Sequence, residues 1–268
     1  MATGRRHEDR AQRASETGCA EIRVIPIRAT EEVRPGDSVS ELLLKSIRKE
    51  KLWLNPGDIL IVKHKIVSKA EGRLVPLDRV KTSAAARAWA RRYKLDARVT
   101  ELGLRESKRT VRRKNGVLIT ETKHGFVCAN SGVDVSNVDG GGHALLLPED
   151  PDESAAKIHG DLKRKLKLTI PVIITDTFGR PWREGLTEVA IGIAGMKAIH
   201  DYRAFRDPNG YRLRVSLEAV ADELACAAGL VCGKLSRVPA CIVRGFRYQP
   251  AKGSARELIR PARHDLFR

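Results

Sequence analysis

The chain has 268 residues, 31% of them charged and 42% hydrophobic, with a formal net charge of +17. That length allows a sizeable buried core, and no apolar stretch approaches the roughly 20 residues that a membrane helix needs, so no membrane partner is expected. The basic balance suits anionic partners, but aromatics make up only 4% of the chain and none is interleaved with the basic runs, which argues against a nucleic-acid partner. Residues 1–19 are polar and mixed in charge without the apolar core of a secretory signal; they read as a disordered leader, with residues 20–268 as the working domain and the cytoplasm as its location.

In chain order, EIRVIPI (Glu21 to Ile27) reads as a strand. RPGDSVSELLLKSIRKEK then reads as a helix capped by Asp37 or Ser38, with Leu42, Leu43 and Ile47 in periodic positions. GDILIVKHKIVSKAEGR is rich in β-branched residues and predicts one long strand ending in a polar turn at Ser68 to Gly72. On such a strand Lys63 and Lys65 share a face, Lys63 is a solvated edge charge, and Lys69 in the turn is the preferred phosphate ligand. SAAARAWARRYKL predicts a helix, and GVLITET and HGFVCAN a pair of short strands. DESAAKIHGDLKRKLK reads as a helix, followed by strands IPVIITD and TEVAIGIAG. SLEAVADELACAAGLVC predicts the longest apolar-periodic helix, with Leu217, Val220, Ala221, Leu224 and Leu230 near one face, before a last strand ACIVRGF. The fold class is α+β, with mixed sheets and helices in one continuous unit or in two interlocked lobes.

The basic runs RESKRTVRRKNG and KIHGDLKRKLK read as solvated faces, or as a funnel for an anionic small molecule. Five cysteines, Cys19, Cys128, Cys226, Cys232 and Cys241, contain no C-x-x-C pair and read as reduced, mostly buried thiols. GLVCGKL lacks the spacing of a P-loop, and GIAG at Gly192 lacks that of a Rossmann turn. His124 reads as a hydrogen-bonded structural residue rather than a base.

Three segments hold residue types that a packed core would not select. In ANSGVDVSNVDGGG, Asp134 stands close to Asn137 and Asp139; the carboxylates suit a hard cation, or the stretch is a turn satisfying its own backbone. In VIITDTFGRPWREG, Asp176 and Thr177 at the end of an apolar strand offer oxygen ligands for Mg²⁺ or Mn²⁺, and Arg180 and Arg183 could grip phosphate. The alternative there is a structural Asp-Arg pair with Trp182 as a core anchor. The third segment is the lysine-rich VKHKIVSKAEGR.

DILIVKHKIVSKAEGR, HGFVCANSGVDVSN, LLPEDPDESA, ITDTFGRPWREG, AVADELACAAGLV and ARELIRPARHDLFR follow one another in the order seen in coenzyme F420-0:L-glutamate ligases. The chain resembles that family from about Glu21 to its C-terminus. Longer relatives append a nitroreductase-like domain, and this chain looks like the form without it. The resemblance implies a GTP-dependent amide ligase that attaches L-glutamate to coenzyme F420-0 and adds later glutamates through γ-linkages, working as a homodimer. It implies a divalent metal, two ions of Mg²⁺ or Mn²⁺, with K⁺ as a further candidate ion, held by Asp134, Asp176 and Thr177. Nucleotide contacts would fall on Thr30, Glu31, Glu32 and Val33, on His64, Lys65 and Lys69, on Asn137, and on the loop with Gly233 and Lys234. Lys69, Arg180 and Arg183 would neutralise phosphate during catalysis. The chain departs from the family pattern at ATEEVRPGD, at His64, and in the third loop, commonly acidic and glycine-rich, which here reads GKLSRVPA. Two other function classes remain compatible with the residues: a metal- and nucleotide-dependent ligase or phosphotransferase acting on another acidic metabolite, and a basic RNA-binding protein.

Overall fold

The computed structural model describes residues 21–136, 139–203 and 205–265. The expected leader, Cys19 and Asn137 lie outside the described residues. Five strands form the main sheet: β1 (Arg23–Ile27), β2 (Ile59–Lys63), β8 (Val172–Arg180), β9 (Arg183–Ala194) and β12 (Ala240–Arg244), in the order β1-β12-β2-β8-β9. All neighbours run antiparallel except β2 and β8, which are parallel, with Lys63 opposite Thr175.

This sheet is apolar on both faces because its strands alternate into two separate cores. Leu60, Val62, Val172, Ile174 and Ile242 face one core, and Ile59, Ile61, Ile173, Cys241 and Val243 face the other. Helices α1 (Val39–Lys49) and α5 (Pro151–Leu166) cover the first face, and α6 (Val220–Cys232) covers the second. Ser38 caps α1 by accepting from Glu41 N at 3.4 Å, and Asp150 caps α5 through Asp152 N and Glu153 N. Asp152 Oδ1 accepts from Ile193 N and Ala255 N, tying α5 to the far edge strand.

The segment after Lys63 departs from the expected strand. His64–Ala70 is a helix, α2, so Lys65 and Lys69 share a face through the helical i, i+4 spacing rather than through strand alternation. Ile66 and Val67 carry the strand propensity, but His64, Val67 and Ser68 are buried along one helical side, and that burial decides the conformation. Lys63 is also no solvated edge charge: β2 is an inner strand and Lys63 pairs with Glu188.

Between β2 and β8 the chain builds a second lobe. It contains β3 (Leu74–Pro76) paired with β7 (His143–Leu145), helices α3 (Ala84–Tyr93) and α4 (Ala97–Arg105), and a sheet of β4 (Ser107–Lys114), β5 (Val117–Thr122) and β6 (Val127–Ala129). Residues 79–116 carry thirteen lysines and arginines against three acids, so the formal charge of the chain is concentrated here. A two-stranded ribbon, β10 (His200–Asp201) with β11 (Leu217–Glu218), precedes α6. Leu217 therefore lies outside the helix, and Leu230 is 88% exposed, so neither joins the buried face expected of it. Among the described residues, no helix is long and apolar enough to cross a membrane.

Cys128, Cys232 and Cys241 are buried free thiols and Cys226 is half-buried. Burial, with the nearby Asp176 charge, pushes the Cys128 thiol up to about 12. Alkylation requires the thiolate, so iodoacetamide at pH 8 should leave Cys128 unlabelled in the native protein and label it after denaturation, read by mass spectrometry; fast native labelling would show that β6 opens. Gly192 sits against α5, where an added Cβ would lie 2.2 Å from Pro151 O. Gly192→Ala should cost about 2 kcal/mol or more by forcing backbone apart, measured as a shift in the urea midpoint.

Candidate functional site

The parallel pairing of β2 and β8 runs both chains in one direction past the Lys63–Thr175 pair, where β2 ends and β8 continues alongside β9. His64, first residue of α2, and Asp176, one step beyond the Lys63–Thr175 pair, meet there: His64 Nε2 stands 3.2 Å from Asp176 Oδ1, without the alignment of a full hydrogen bond. The imidazole is 2% exposed and its Nδ1 lies 3.2 Å from Ser68 Oγ on the next helical turn. Asp176 Oδ1 also accepts from Thr177 N at 2.7 Å, while Oδ2 has no hydrogen bond to any described residue.

Asp134 arrives from the second lobe on a rigid turn. Asn130, Ser131 and Gly132 are all left-handed, and a Cβ on Gly132 would lie 2.9 Å from the Leu147 side chain. Ser131 anchors the turn by donating from N to Thr120 Oγ1 and from Oγ to Gly103 O, both at 2.8 Å. Asp134 then exchanges backbone hydrogen bonds with Leu145. Its Oδ1 accepts from Ser136 N at 2.6 Å, and its Oδ2 pairs with Lys65 Nζ at 2.7 Å. The self-capping turn and the charged site are therefore one structure. Burial pushes the Asp134 carboxyl up, but Lys65 and Ser136 together outweigh it and hold the group below its ordinary value.

Successive strand residues point to opposite faces, and Thr177 faces away from Asp176. The Thr177 hydroxyl donates to Glu188 Oε1 at 2.8 Å and accepts from Lys234 Nζ at 2.7 Å. Glu188, opposite Thr177 in the β8–β9 register, is 5% exposed and also pairs with Lys63. Its Oε2, like Thr175 Oγ1, is buried without a hydrogen-bond partner. Glu188 was not foreseen from the sequence; a lone acid in the alternating TEVAIGIAG strand gives no signal until its cross-strand partner is known.

The other anticipated residues divide as follows. Thr30 Oγ1 lies 3.3 Å from Ser46 Oγ, Glu31 pairs with Lys45, Glu32 pairs with Lys69, and Val33 is half-buried beside them. The first two expected nucleotide stretches are thus brought together across α1 and α2. Gly233 ends α6 with φ 56°, directing Lys234 back to Thr177. Arg180 and Arg183 flank the exposed tip of the β8–β9 hairpin, where Arg180 donates to Glu184 O at 3.2 Å. The structural Asp-Arg pair with a buried tryptophan is overturned, because Trp182 is 80% exposed. Four residues of strand, roughly 13 Å, separate Asp176 from the arginine corner. His124 Nε2 hydrogen-bonds the carbonyls of Pro148 and Glu149, a structural role.

Among the described residues, no three His, Cys, Asp or Glu side chains converge as a metal cage. Mg²⁺ and Mn²⁺ with nucleotides need no such cage, since one or two carboxylates plus phosphate oxygens suffice. Asp134 and Asp176 fit that requirement in donor type, since both offer hard carboxylate oxygens and they pair with the adjacent residues Lys65 and His64. The Thr177 cluster does not fit, because two lysines already surround its single carboxylate.

Residues 27–245 match the F420-0:Gamma-glutamyl ligase family. The chain is 42% identical to a coenzyme F420:L-glutamate ligase of Methanopyrus kandleri, over 94% of this chain and 99% of that protein. It is 41% identical to the same-named protein of Methanothermobacter thermautotrophicus, over 92% and 99%, and 39% identical to that of Methanocaldococcus jannaschii, over 80% and 86%. A match of this extent, across both the main sheet and the inserted lobe, places the chain in the F420-0:gamma-glutamyl ligase family.

Proposed function

We propose that this chain is an amide ligase that joins L-glutamate to coenzyme F420-0, with GTP as the phosphoryl donor and an acyl phosphate as the intermediate, and adds later glutamates through γ-linkages. The observation that carries the reading is that the consecutive residues His64 and Lys65, just past the end of β2, engage one aspartate from each lobe, Asp176 of β8 and Asp134 of the inserted lobe. The names of the relatives, each a coenzyme F420:L-glutamate ligase, supply the substrates.

A carboxylate is a poor acyl donor because oxide cannot leave. One of its oxygens attacks the γ-phosphorus, GDP departs, and the resulting acyl phosphate is open to the glutamate amine, which expels phosphate. Such transfer depends on positioning and charge neutralisation. Asp134 and Asp176 would hold a divalent ion, which would supply Lewis-acid stabilisation of the charge that develops on the transferred phosphoryl group. Lys65 and Lys69 are positioned by Asp134 and Glu32, and both can turn to phosphate once those carboxylates are otherwise engaged. His64, held by Ser68, lies beside the Asp176 carboxylate, which takes its hydrogen bond from Thr177 N. The segment from Thr30 to Val33 lies beside Lys69 and would line the nucleotide. Arg180 and Arg183, exposed on the hairpin, would receive the outer anionic part of a substrate. The same hairpin exposes Trp182 and Leu186, and this apolar surface supports a homodimer.

The test is mass spectrometry of the protein with coenzyme F420-0, L-glutamate, Mn²⁺ and either GTP or ATP. Glutamyl products with GTP alone are expected; turnover with ATP alone would reassign the nucleotide, and no product with either would sink the ligase reading. Asp176→Asn should lower kcat by about two orders of magnitude, the scale of losing several kcal/mol of charge stabilisation, with its thermal midpoint unchanged.

A further inference from the structure

The two faces of the sheet here carry different sets of charges. On one lie two neighbouring pairs, Asp134 with Lys65 and Asp176 with His64, which hold two carboxylates against one lysine and a histidine. On the other, around Thr177, lie one carboxylate, Glu188, and two lysines, Lys63 and Lys234. A divalent cation is attracted to the first and repelled from the second. Lys234 comes from the GKLSRVPA loop that follows α6.

We propose that the Lys234 ammonium, seated on the Thr177 hydroxyl beside the Lys63–Glu188 pair, is a resident cation that takes the place of a second divalent ion and addresses a nucleotide phosphate oxygen. The chain then binds one divalent ion, at Asp134 and Asp176. This rests on the reading that a metal-bound nucleotide occupies the edge of the sheet. Three contacts make Lys234 suited to the task. Its Nζ is held at 2.7 Å by Thr177 Oγ1, that hydroxyl is oriented by its own bond to Glu188 Oε1, and Glu188 is fixed by Lys63 from the inner strand. The residue is solvent-exposed, so two of the three ammonium hydrogens remain available to an anion. A lysine is part of the chain and needs no ion from solution to occupy this place.

The experiment counts Mn²⁺ bound per chain by electron paramagnetic resonance in saturating GDP, for the wild type, Lys234→Glu and Lys234→Met. Thermal midpoints of the three should agree, since Lys234 lies on the surface after α6. One Mn²⁺ in the wild type and two in Lys234→Glu are expected, and Lys234→Met should bind GDP roughly tenfold more weakly while still holding one ion. Two ions in the wild type, or one ion in both the wild type and Lys234→Glu, would overturn the proposal. No Mn²⁺ in the wild type would instead remove the metal-nucleotide reading beneath it, and this inference with it.

Discussion

The parallel register of β2 on β8 is the constraint on which the site depends. An antiparallel pair would send His64 and Asp176 to opposite ends of the sheet; the parallel pair sends both to one edge, a single residue beyond Lys63 and Thr175. Parallel neighbours need a crossover connection, and here residues 64–171 supply it. The crossover has grown into a lobe with its own sheets and helices, and it returns Asp134 to the edge it started from. One geometric requirement therefore accompanies both the second lobe and the placing of one aspartate from each lobe against the consecutive residues His64 and Lys65.

The sheet edge also explains why so many charges are held close together without collapse. Lys63, His64 and Lys65 are consecutive, yet they take three different partners: Glu188, Asp176 and Asp134. The change from strand to helix at His64 separates them, because the last strand residue faces one core while the first helical turn opens over the other. Lys63 and Glu188 are 17% and 5% exposed, and removing either alone would leave a buried charge at a cost of about 3–5 kcal/mol. Much of this electrostatic arrangement is thus part of the fold.

Sequence pattern made the outer frame legible. Short apolar strands such as RVIPI and ACIVR, and the capped helix after Asp150, were readable because local propensity and tertiary burial agree there. Asp134, Asp176 and Thr177 stood out as polar residues beside apolar strands. What could not be read were features decided by distant contacts. HKIVSKA has a strand's composition and becomes a helix because His64 and Ser68 find a buried side four residues apart. Glu188 depends on the register of a hairpin, and the opposed directions of Asp176 and Thr177 depend on two separate cores. Strand β4 was hidden by its charges, because its lysines and arginines face solvent.

The position of β12 bears on how the chain assembles during synthesis. Among the described strands of this sheet β12 comes latest in the sequence, yet it lies between β1 and β2, the two earliest. Until Ala240–Arg244 leaves the ribosome, β1 has no neighbour and the outer edge of β2 is unpaired. Exposed strand edges invite pairing with other chains, and contacts this distant in sequence form slowly. The nascent chain can fold its inserted lobe early, whereas the main sheet is completed only after Ala240–Arg244 has been made.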